Sequence, residues 1–321
     1  MAVYTDVSAS DLDGFLRTYD IGGLTALKGI AEGVENSNFL LGTTAGTYIL
    51  TLYEKRVAAG DLPFFVALLE HLAAKGLTCP QPVPNRAGAA LGTLCGRPAA
   101  IMTFLDGVWI ADPQPIHCGA LGAVLAQLHL AVANFPMGRP NPLSVAGWHG
   151  LLAQAGARAD TVVPGLAAEA AAALADIEAR WPVGLPMGVI HADLFPDNVF
   201  FLGDRLSGLI DFYFACTDSF AYDLSICLNA WCFDADHRFD PARGRALMEG
   251  YAAVRPLNPA EAAALPVLAR GSALRFMLTR LVDWLNVPPG ALVKPKDPRE
   301  YLAKLRFHVG VEDSRIYGLP G

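Results

Sequence analysis

The stretch that decides the fold is residues 190–200, "IHADLFPDNVF", which is followed at residues 208–214 by "GLIDFYF". One His, two Asp and one Asn interrupt an apolar run within eight residues. Such groups are costly to bury unless they are paired or bind something. The stretch is therefore either a polar turn between two strands or a place where chemistry occurs.

The spacing of these polar residues favours chemistry. The chain reads His191-x-Asp193-x-x-x-x-Asn198 and then Ile210-Asp211-Phe212. This order is similar to the catalytic loop and the metal-binding Asp of protein-kinase-like enzymes, H-R-D-x-x-x-x-N followed by DFG. A polar turn explains any one of these residues alone, but it does not explain the whole combination.

The details of the motif resemble one group within these enzymes. "HADLFPDN" and "IDFYFA" look like the version found in the aminoglycoside phosphotransferase and choline kinase group. The flanking pieces "GVENSNFLL", "YILTLYE" and "LRFMLTRLVDW" resemble more narrowly the homoserine kinases of that group. The resemblance covers nearly the whole chain, and its elements come in the family order.

Phosphoryl transfer depends on positioning and charge neutralisation, which explains why these residue types recur at this spacing. Asp193 would accept or orient the proton of the acceptor hydroxyl. Asn198 and Asp211, the latter on the next strand, would supply oxygen ligands to Mg2+, which prefers hard oxygens. His191 would hold the loop through a hydrogen bond, and Asp223 would bond to the loop from the following helix. Asp197 reads as a solvated turn residue.

The ATP side of the site would lie in the N-terminal strands. "EGVENSNF" falls between the first two strands, where kinases cover the phosphates with backbone N–H groups, and an ordinary hairpin loop is the alternative. The segment "IMTFLDG" (101–107) would present backbone groups to the adenine edge. The predicted ATP-binding residues are Gly33, Asn36, Ser37, Asn38, Thr51, Met102, Phe104 and Leu105.

One position departs from the kinase pattern. Thr51 stands where the third strand of kinases carries a Lys that contacts the ATP phosphates. Lys55 and Lys28 are alternative sources of positive charge. Without the Lys, the role of Glu70 on the next helix is open between a partner for a cation and a solvent-facing residue. A non-catalytic function as a nucleotide-binding pseudokinase is therefore an alternative, although Asp193, Asn198 and Asp211 are intact.

The acceptor follows from charge and from the resemblance, which implies L-homoserine and a place in threonine biosynthesis. Homoserine is a zwitterion, so its carboxylate calls for Arg. Arg275 and Arg280 lie on the helix "ALRFMLTRLVDWL" (273–285), where an Arg280–Asp283 pair is the plain alternative. Trp231 is a further pocket candidate, with a plain core residue as the alternative. A choline-like amine, another amino alcohol or an aminoglycoside is the alternative acceptor.

The pattern of elements predicts an α+β, two-lobed protein-kinase-like fold. Three strands within residues 24–54, a helix over 61–76 and a hairpin over 89–107 make an N-terminal antiparallel sheet with one helix. The remainder is mostly helical around a β island at 187–212. We expect an N-terminal nucleotide-binding lobe at 1–105 and a catalytic and substrate-binding lobe at 106–321. The predicted helices of the second lobe cover 115–133, 143–158, 165–180, 221–233, 241–254, 259–285 and 297–309.

Composition narrows the remaining possibilities. The chain has 321 residues, a net charge of −7 and no Lys/Arg run of the kind that marks a nucleic-acid surface. It has no long uncharged apolar segment and no basic-then-apolar start, so we expect neither a membrane span nor a signal peptide. Six Cys without a CxxC pair indicate reduced thiols in a cytoplasmic enzyme. ATP and Mg2+ would be its cofactors, and the sequence allows a homodimer without specifying one.

Overall fold

The computed structural model describes residues 5–30, 36–54, 58–287 and 295–319. The backbone divides into two compact units. The first comprises Met1–Gly107 together with Ser207–Tyr213, and the second comprises Val108–Leu206 together with Phe214–Gly321. The segment 207–213, which follows the motif loop in sequence, thus groups with the N-terminal residues. A domain boundary after residue 105 stays a prediction.

The first unit is built on a five-stranded sheet in the order β1-β2-β3-β5-β4, in which neighbouring strands are antiparallel. A short helix precedes the sheet and a longer one lies between its third and fourth strands. The elements are α1 (Ala9–Leu16), β1 (Leu24–Gly29), β2 (Ser37–Thr43), β3 (Gly46–Leu52), α2 (Leu62–Ala74), β4 (Gly92–Leu94) and β5 (Arg97–Thr103).

Alternation of side chains places the core of this unit on one face of the sheet. Along β2, every second residue is buried, which is the two-residue period of a strand with one covered face. Phe39 and Leu41 of β2 join Leu50 of β3 in a buried cluster that includes Leu12 of α1. The turn "GTTAGT" (42–47) joins β2 and β3 as a hairpin, since Thr43 pairs with Gly46 across it.

The second unit is mostly helical. Its strands are β6 (Met187–Ile190), β7 (Val199–Leu202), β8 (Arg205–Leu209), whose last residues fall in the first unit, and β9 (Cys216–Ser219). β6 pairs antiparallel with β9, and β7 with β8 forms a second two-stranded sheet. Its helices are α3 (Pro115–Ala131), α4 (Val145–Ala155), α5 (Leu166–Arg180), α6 (Phe220–Trp231), α7 (Pro241–Val254), α8 (Pro259–Leu285) and α9 (Pro298–Val309).

Glycines allow α3 and α7 to approach closely. A Cβ on Gly122 would lie 2.2 Å from the carbonyl oxygen of Leu247, and one on Gly250 would lie 2.1 Å from that of Gly119. Since real side chains do not tolerate such distances, only glycine at these positions lets the two backbones touch. The close contact fixes α3, which carries a buried histidine of the site described below.

The same helix is long and apolar enough to cross a membrane by length and composition, over Pro115–Asn134, and half of that window is buried. The core helix of a soluble protein satisfies the same criterion. His129 near its C-terminal end is 1 % exposed and hydrogen-bonded to two side chains from other elements. These contacts and the packing on α7 are those of a core helix.

The helices predicted for the second unit are confirmed, with ends within three residues of the predicted ones. Two elements were not predicted. The first is α1, although Ser8 caps it by accepting a hydrogen bond from the backbone of Asp11, a recognisable start signal. The second is β9, whose sequence "CTDS" is polar and becomes a strand only by pairing with β6.

Candidate active site

The motif loop connects β6 to β7 and is held in an unusual conformation. Ala192 has a φ of +63°, in the left-handed region that costs a residue with a Cβ about 1–2 kcal/mol. A 3-10 turn at Pro196–Asn198 then leads into β7. Such a conformation persists only where the surroundings hold it.

Asp223 of α6 binds the backbone of the first two residues of the loop, His191 and Ala192. Its carboxylate accepts hydrogen bonds from the backbone N–H of His191 and of Ala192, both at 2.9 Å, one to each oxygen. Asp223 is fully buried. Burial raises the pKa of this carboxyl, but the bonds from His129 and from the loop outweigh burial and lower it below its ordinary value. The predicted bond from Asp223 to the loop is confirmed.

A chain of buried side chains continues from Asp223. His129 Nε2 lies 3.1 Å from the carboxylate, and Nδ1 lies 2.8 Å from the hydroxyl of Tyr251. Arg255 donates to that same hydroxyl at 3.0 Å and to Glu261 at 2.8 Å. Burial lowers the pKa of His129, so the ring is neutral and donates through Nε2 while Tyr251 donates to Nδ1. Every polar group in this row therefore has a definite orientation.

Two predicted substrate residues hold the loop. Arg275 is 2 % exposed, and its Nη1 donates to the carbonyl of Ala192 at 2.7 Å. Trp231 is 1 % exposed, and its indole N–H donates to the carbonyl of Leu194 at 2.7 Å. These donors are committed to the loop backbone, and a role of Arg275 and Trp231 in binding the acceptor stays a prediction.

Asp193 and Asn198 are directly linked. The side-chain nitrogen of Asn198 donates to the backbone carbonyl of Asp193 at 2.8 Å and to its Oδ2 at 3.3 Å. This contact turns the amide oxygen of Asn198 away from Asp193, and within the described residues that oxygen accepts no hydrogen bond. An amide oxygen in this position suits a hard cation such as Mg2+. Asp197 is exposed and pairs with Lys296 at 3.2 Å, in keeping with a solvated turn residue.

Asp211 belongs to the first unit and lies beyond the end of β8, not on a strand as predicted. Its φ of +62° is unusual for a residue with a Cβ, and a 3-10 turn over Phe212–Phe214 follows directly. The carboxylate is partly buried, as a second oxygen ligand would be. Among the described residues, no group of three or more His, Cys, Asp or Glu could hold a metal.

Of the predicted phosphate-side residues, Asn36, Ser37 and Asn38 lie on or just before β2, and Thr51 lies on the neighbouring strand β3. Gly33 and Lys55 lie outside the described residues. Thr51 Oγ1 donates to Asn38 Oδ1 at 2.8 Å, and Ser37 Oγ donates to Glu54 at 2.7 Å. The side-chain oxygen of Asn36 accepts from the backbone of Glu54 at 3.3 Å. These bonds tie β2 to β3.

Because Thr51 stands in place of the third-strand Lys, positive charge near these strands comes from other residues. Lys28 is exposed on β1. Arg97 of β5, which the sequence did not single out, lies 3.3 Å from the Glu54 carboxylate. Glu70 is on the exposed face of α2, as a solvent-facing residue would be.

The predicted adenine-binding segment ends the sheet. Met102 is buried in β5, Phe104 is exposed and Leu105 is partly buried. The backbone N–H of Thr103 is already used, since it donates to the carbonyl of Gln81 at 2.8 Å. For contact with an adenine edge, the backbone groups of residues 104 and 105 are therefore better candidates than the N–H of Thr103.

Arg280 pairs across helices with Glu300 of α9, at 2.5 Å. Lys304 pairs with the same carboxylate at 2.7 Å. Burial raises the pKa of Glu300, but the two cations lower it to about 2, so the group is ionised at neutral pH. The sequence missed Lys304, Tyr301 and His129, because long-range packing alone brings them to the loop.

Comparison with known proteins agrees with this geometry. The model of the phosphotransferase enzyme family matches residues 26–257. A homoserine kinase of Xanthobacter autotrophicus is 66% identical over 319 residues, covering 99% of each chain. An amicoumacin kinase structure in complex with AMP-PNP and Ca2+ has a TM-score of 0.70 at 16% identity, covering 95% of this chain and 92% of that one. Choline kinase of Cryptosporidium parvum has a TM-score of 0.69 at 12% identity, covering 94% of each.

Proposed function

The chain belongs to the phosphotransferase enzyme family and, within it, to the homoserine kinases, and from this we propose that it transfers the γ-phosphoryl group of ATP to the side-chain hydroxyl of L-homoserine. The products are O-phospho-L-homoserine and ADP, and the step belongs to threonine biosynthesis. The observation that carries the proposal is the 66% identity over 99% of both chains. A soluble biosynthetic enzyme of this kind works in the cytoplasm.

Asp193 is the group that meets the acceptor. Its carboxylate orients the hydroxyl and takes up its proton as the new P–O bond forms and the bond from the γ-phosphorus to the β–γ bridging oxygen breaks. The loop that carries it is fixed at four backbone points: by Asp223 at His191 and Ala192, by Arg275 at Ala192, and by Trp231 at Leu194. Fixing the reacting groups lowers the entropic part of the barrier, which is the main task in phosphoryl transfer.

Asn198 and Asp211 are the residues that would hold Mg2+ with ATP. The bound cation would neutralise charge on the phosphates. The free orientation of the Asn198 amide oxygen and the partly buried carboxylate of Asp211 support this assignment. Gly33, Asn36, Ser37, Asn38 and Thr51 form the phosphate side, and Met102, Phe104 and Leu105 form the adenine side.

The charges around the loop favour a carboxylate-bearing acceptor over a cationic one. Arg280, Lys296 and Lys304 lie within 6 Å of aromatic rings that belong to or contact the loop. Choline-like amines and aminoglycosides need acidic or aromatic surroundings without competing cations. A small amino alcohol without a carboxylate remains the second candidate, since the fold admits it.

Turnover by variants of the two carboxylates tests the proposal. Asp193→Asn should lower kcat by at least 1,000-fold, in the range that loss of an essential catalytic group produces, while ATP binding in the presence of Mg2+ stays near the wild-type value. Asp211→Asn should instead weaken Mg2+-dependent ATP binding, measured by calorimetry. If both variants turned over like the wild type, the assigned roles would be wrong.

The acceptor is tested by ADP release with homoserine, choline, ethanolamine and kanamycin. Homoserine should give the highest kcat/KM. An acceptor other than homoserine giving ADP while homoserine gives none would replace the proposed substrate. Light scattering of the same preparation reads the oligomeric state, for which a homodimer stays a prediction.

A further inference from the structure

We propose that Arg280, together with the hydroxyl group of Tyr301, binds the α-carboxylate of the acceptor and thereby selects an amino acid over an amino alcohol. This rests on the proposed function and names the group that gives it specificity. The two residues lie on α8 and α9 and meet at an aromatic cluster that begins on the motif loop.

That cluster consists of Phe195, Phe276 and Tyr301. Phe195 contacts Phe276 with ring centroids 4.9 Å apart, and Phe276 contacts Tyr301 at 5.2 Å. Phe195 is two residues after Asp193, and its backbone N–H donates to the Asp193 carbonyl at 2.8 Å. Since consecutive Cα atoms are about 3.8 Å apart, the cluster starts within about 7 Å of the residue that meets the acceptor hydroxyl. An extended homoserine separates its hydroxyl from its carboxylate by about 5 Å.

The guanidinium group of Arg280 lies beside this cluster and keeps two of its nitrogens available to a ligand. Its guanidinium carbon lies 4.4 Å from the ring centroid of Tyr301 and 5.9 Å from that of Phe195. Nη1 donates to Glu300 and, at 3.5 Å, to the carbonyl of Asp297. In the part of the chain that the structure describes, Nε and Nη2 donate to no group. These two nitrogens form one edge of the fork that binds a carboxylate through two parallel hydrogen bonds.

The charge balance at this place calls for one more anion. Glu300 is shared by Arg280 and Lys304, so the three groups together carry one positive charge. Side chains of Arg280 and Lys304 are 9% and 5% exposed, so water compensates the excess poorly. An acceptor carboxylate beside Arg280 would make two anions face two cations.

The hydroxyl group of Tyr301 is an independent reason to expect a carboxylate at this place. Its side chain is fully buried, and among the described residues its hydroxyl has no hydrogen-bond partner. An unsatisfied buried donor is costly and calls for an explanation. Burial raises the pKa of Tyr301 well above 10, so the hydroxyl stays protonated and can donate to a carboxylate oxygen. The charges of Arg280, Glu300, Asp193 and Arg275 also act on the pKa of this hydroxyl.

The two other cations near the loop do not fit this role. Arg275 gives Nη1 to the loop carbonyl of Ala192 and stacks on Phe276 at 4.3 Å. The side chain of Lys296 is 60% exposed and pairs with Asp197, so it lacks the burial that makes a single charge selective. Arg275 also has a buried Nε without a hydrogen-bond partner among the described residues, but its Nη1 holds the loop, whereas Arg280 keeps Nε and Nη2 together on one edge.

The chain offers a matched control for Arg280 on the same helix. Arg270 is likewise almost buried, pairs with Asp176, and leaves that carboxylate with a second cation, Arg180. Arg280→Gln and Arg270→Gln therefore remove the same kind of pair. We expect Arg280→Gln to raise KM for homoserine on the order of 10- to 100-fold, the value of a charge-assisted bond. KM for ATP should stay unchanged, and Arg270→Gln should leave both constants near wild type.

A comparison of acceptors separates recognition from general damage. L-Homoserinamide replaces the carboxylate by a neutral amide, and 3-amino-1-propanol lacks it altogether. Wild type should prefer homoserine over both in kcat/KM, and Arg280→Gln should reduce that preference by the same 10- to 100-fold. A preference unchanged in the variant, or a wild type that uses homoserinamide as well as homoserine, would overturn the inference while homoserine kinase activity stands.

Tyr301→Phe keeps the question decidable if the Arg280 variant does not fold. Its control is Tyr19→Phe, since Tyr19 in the first unit is also buried with an unpartnered hydroxyl. Tyr301→Phe should raise KM for homoserine on the order of 10-fold or more, as expected for the loss of a hydrogen bond to a charged acceptor, and Tyr19→Phe should leave it unchanged. Equal KM values in the two variants would contradict the role of Tyr301. A wild type inactive on homoserine in every assay would overturn the proposed function and, with it, this inference.

Discussion

Replacement of Asp223 by Asn isolates the contribution of one buried carboxylate to the catalytic loop. The carboxylate accepts three hydrogen bonds: from the backbone of His191, from the backbone of Ala192 and from the ring of His129. The carboxamide of Asn has the same size but only one oxygen, and its nitrogen carries hydrogens. In either orientation of the amide, that nitrogen faces at least one N–H donor, so at least one buried donor loses its partner.

The magnitude follows from those contacts. An unsatisfied buried donor costs about 1–3 kcal/mol, and a bond to a charged acceptor is worth about 1.5–3 kcal/mol, part of which a neutral oxygen retains. We therefore expect Asp223→Asn to lower the free energy of unfolding by about 3–5 kcal/mol, a large share of a typical total of about 5–15 kcal/mol. Since Ala192 holds a φ of +63°, the released loop should relax, and kcat should fall on the order of 100-fold.

Urea unfolding followed by tryptophan fluorescence, together with steady-state kinetics, measures both effects. Asp218→Asn is the control, because Asp218 is five residues earlier and accepts from Asn141 at 2.7 Å. Burial outweighs the hydrogen bonds that Asp218 accepts and raises its pKa, so a neutral side chain is better tolerated there, and this variant should lose only about 1–2 kcal/mol. An Asp223→Asn protein within 1 kcal/mol of wild type and with full kcat would refute the view that this carboxylate holds the loop.

Three further outcomes are expected. Gly271→Ala should lower the free energy of unfolding by about 1–3 kcal/mol, because its Cβ would come within 2.4 Å of a tryptophan ring; Gly150→Ala, with open space around it, should be neutral or stabilising in the same urea titration. Burial lowers the pKa of His308 to about 3, so folding stability should fall by about 1.4 kcal/mol per pH unit as the pH drops from about 6.5 towards 3. His308→Gln should reduce the slope of the free energy of unfolding against pH in this range. An unchanged slope would show that His308 is not the group responsible. Trp231→Phe removes the donor to the Leu194 carbonyl and should lower kcat severalfold with unchanged KM for ATP; an equal loss in an exposed Trp284→Phe control would show that the contact is irrelevant.

Much of the site could be predicted because its residues are close in sequence. Asp193 and Asn198 sit five positions apart, so a single turn is enough to bring the amide of one to the carboxylate of the other. The helices were predictable for the same reason, since their periodicity is local. The capping box at Asn258 and Glu261, for example, marks the start of α8.

The roles of the arginines could not be predicted because they depend on partners far along the chain. Arg275 and Arg280 look alike on one helical segment. Packing gives the first the carbonyl of Ala192, 83 residues away, and the second the carboxylate of Glu300 on the next helix. The same limit explains why "CTDS" was not recognised as β9: a polar segment is a strand only when β6 offers it hydrogen bonds.

By itself, the sequence determined the reaction class of this protein, because the chemistry of phosphoryl transfer requires an Asp, an Asn and a second Asp within one short, ordered stretch. The tertiary structure decided which of the surrounding charges support the loop and which remain available to an acceptor. That division depends on burial and on hydrogen-bond partners between distant elements, and these exist only once α6, α8 and α9 have packed around the loop.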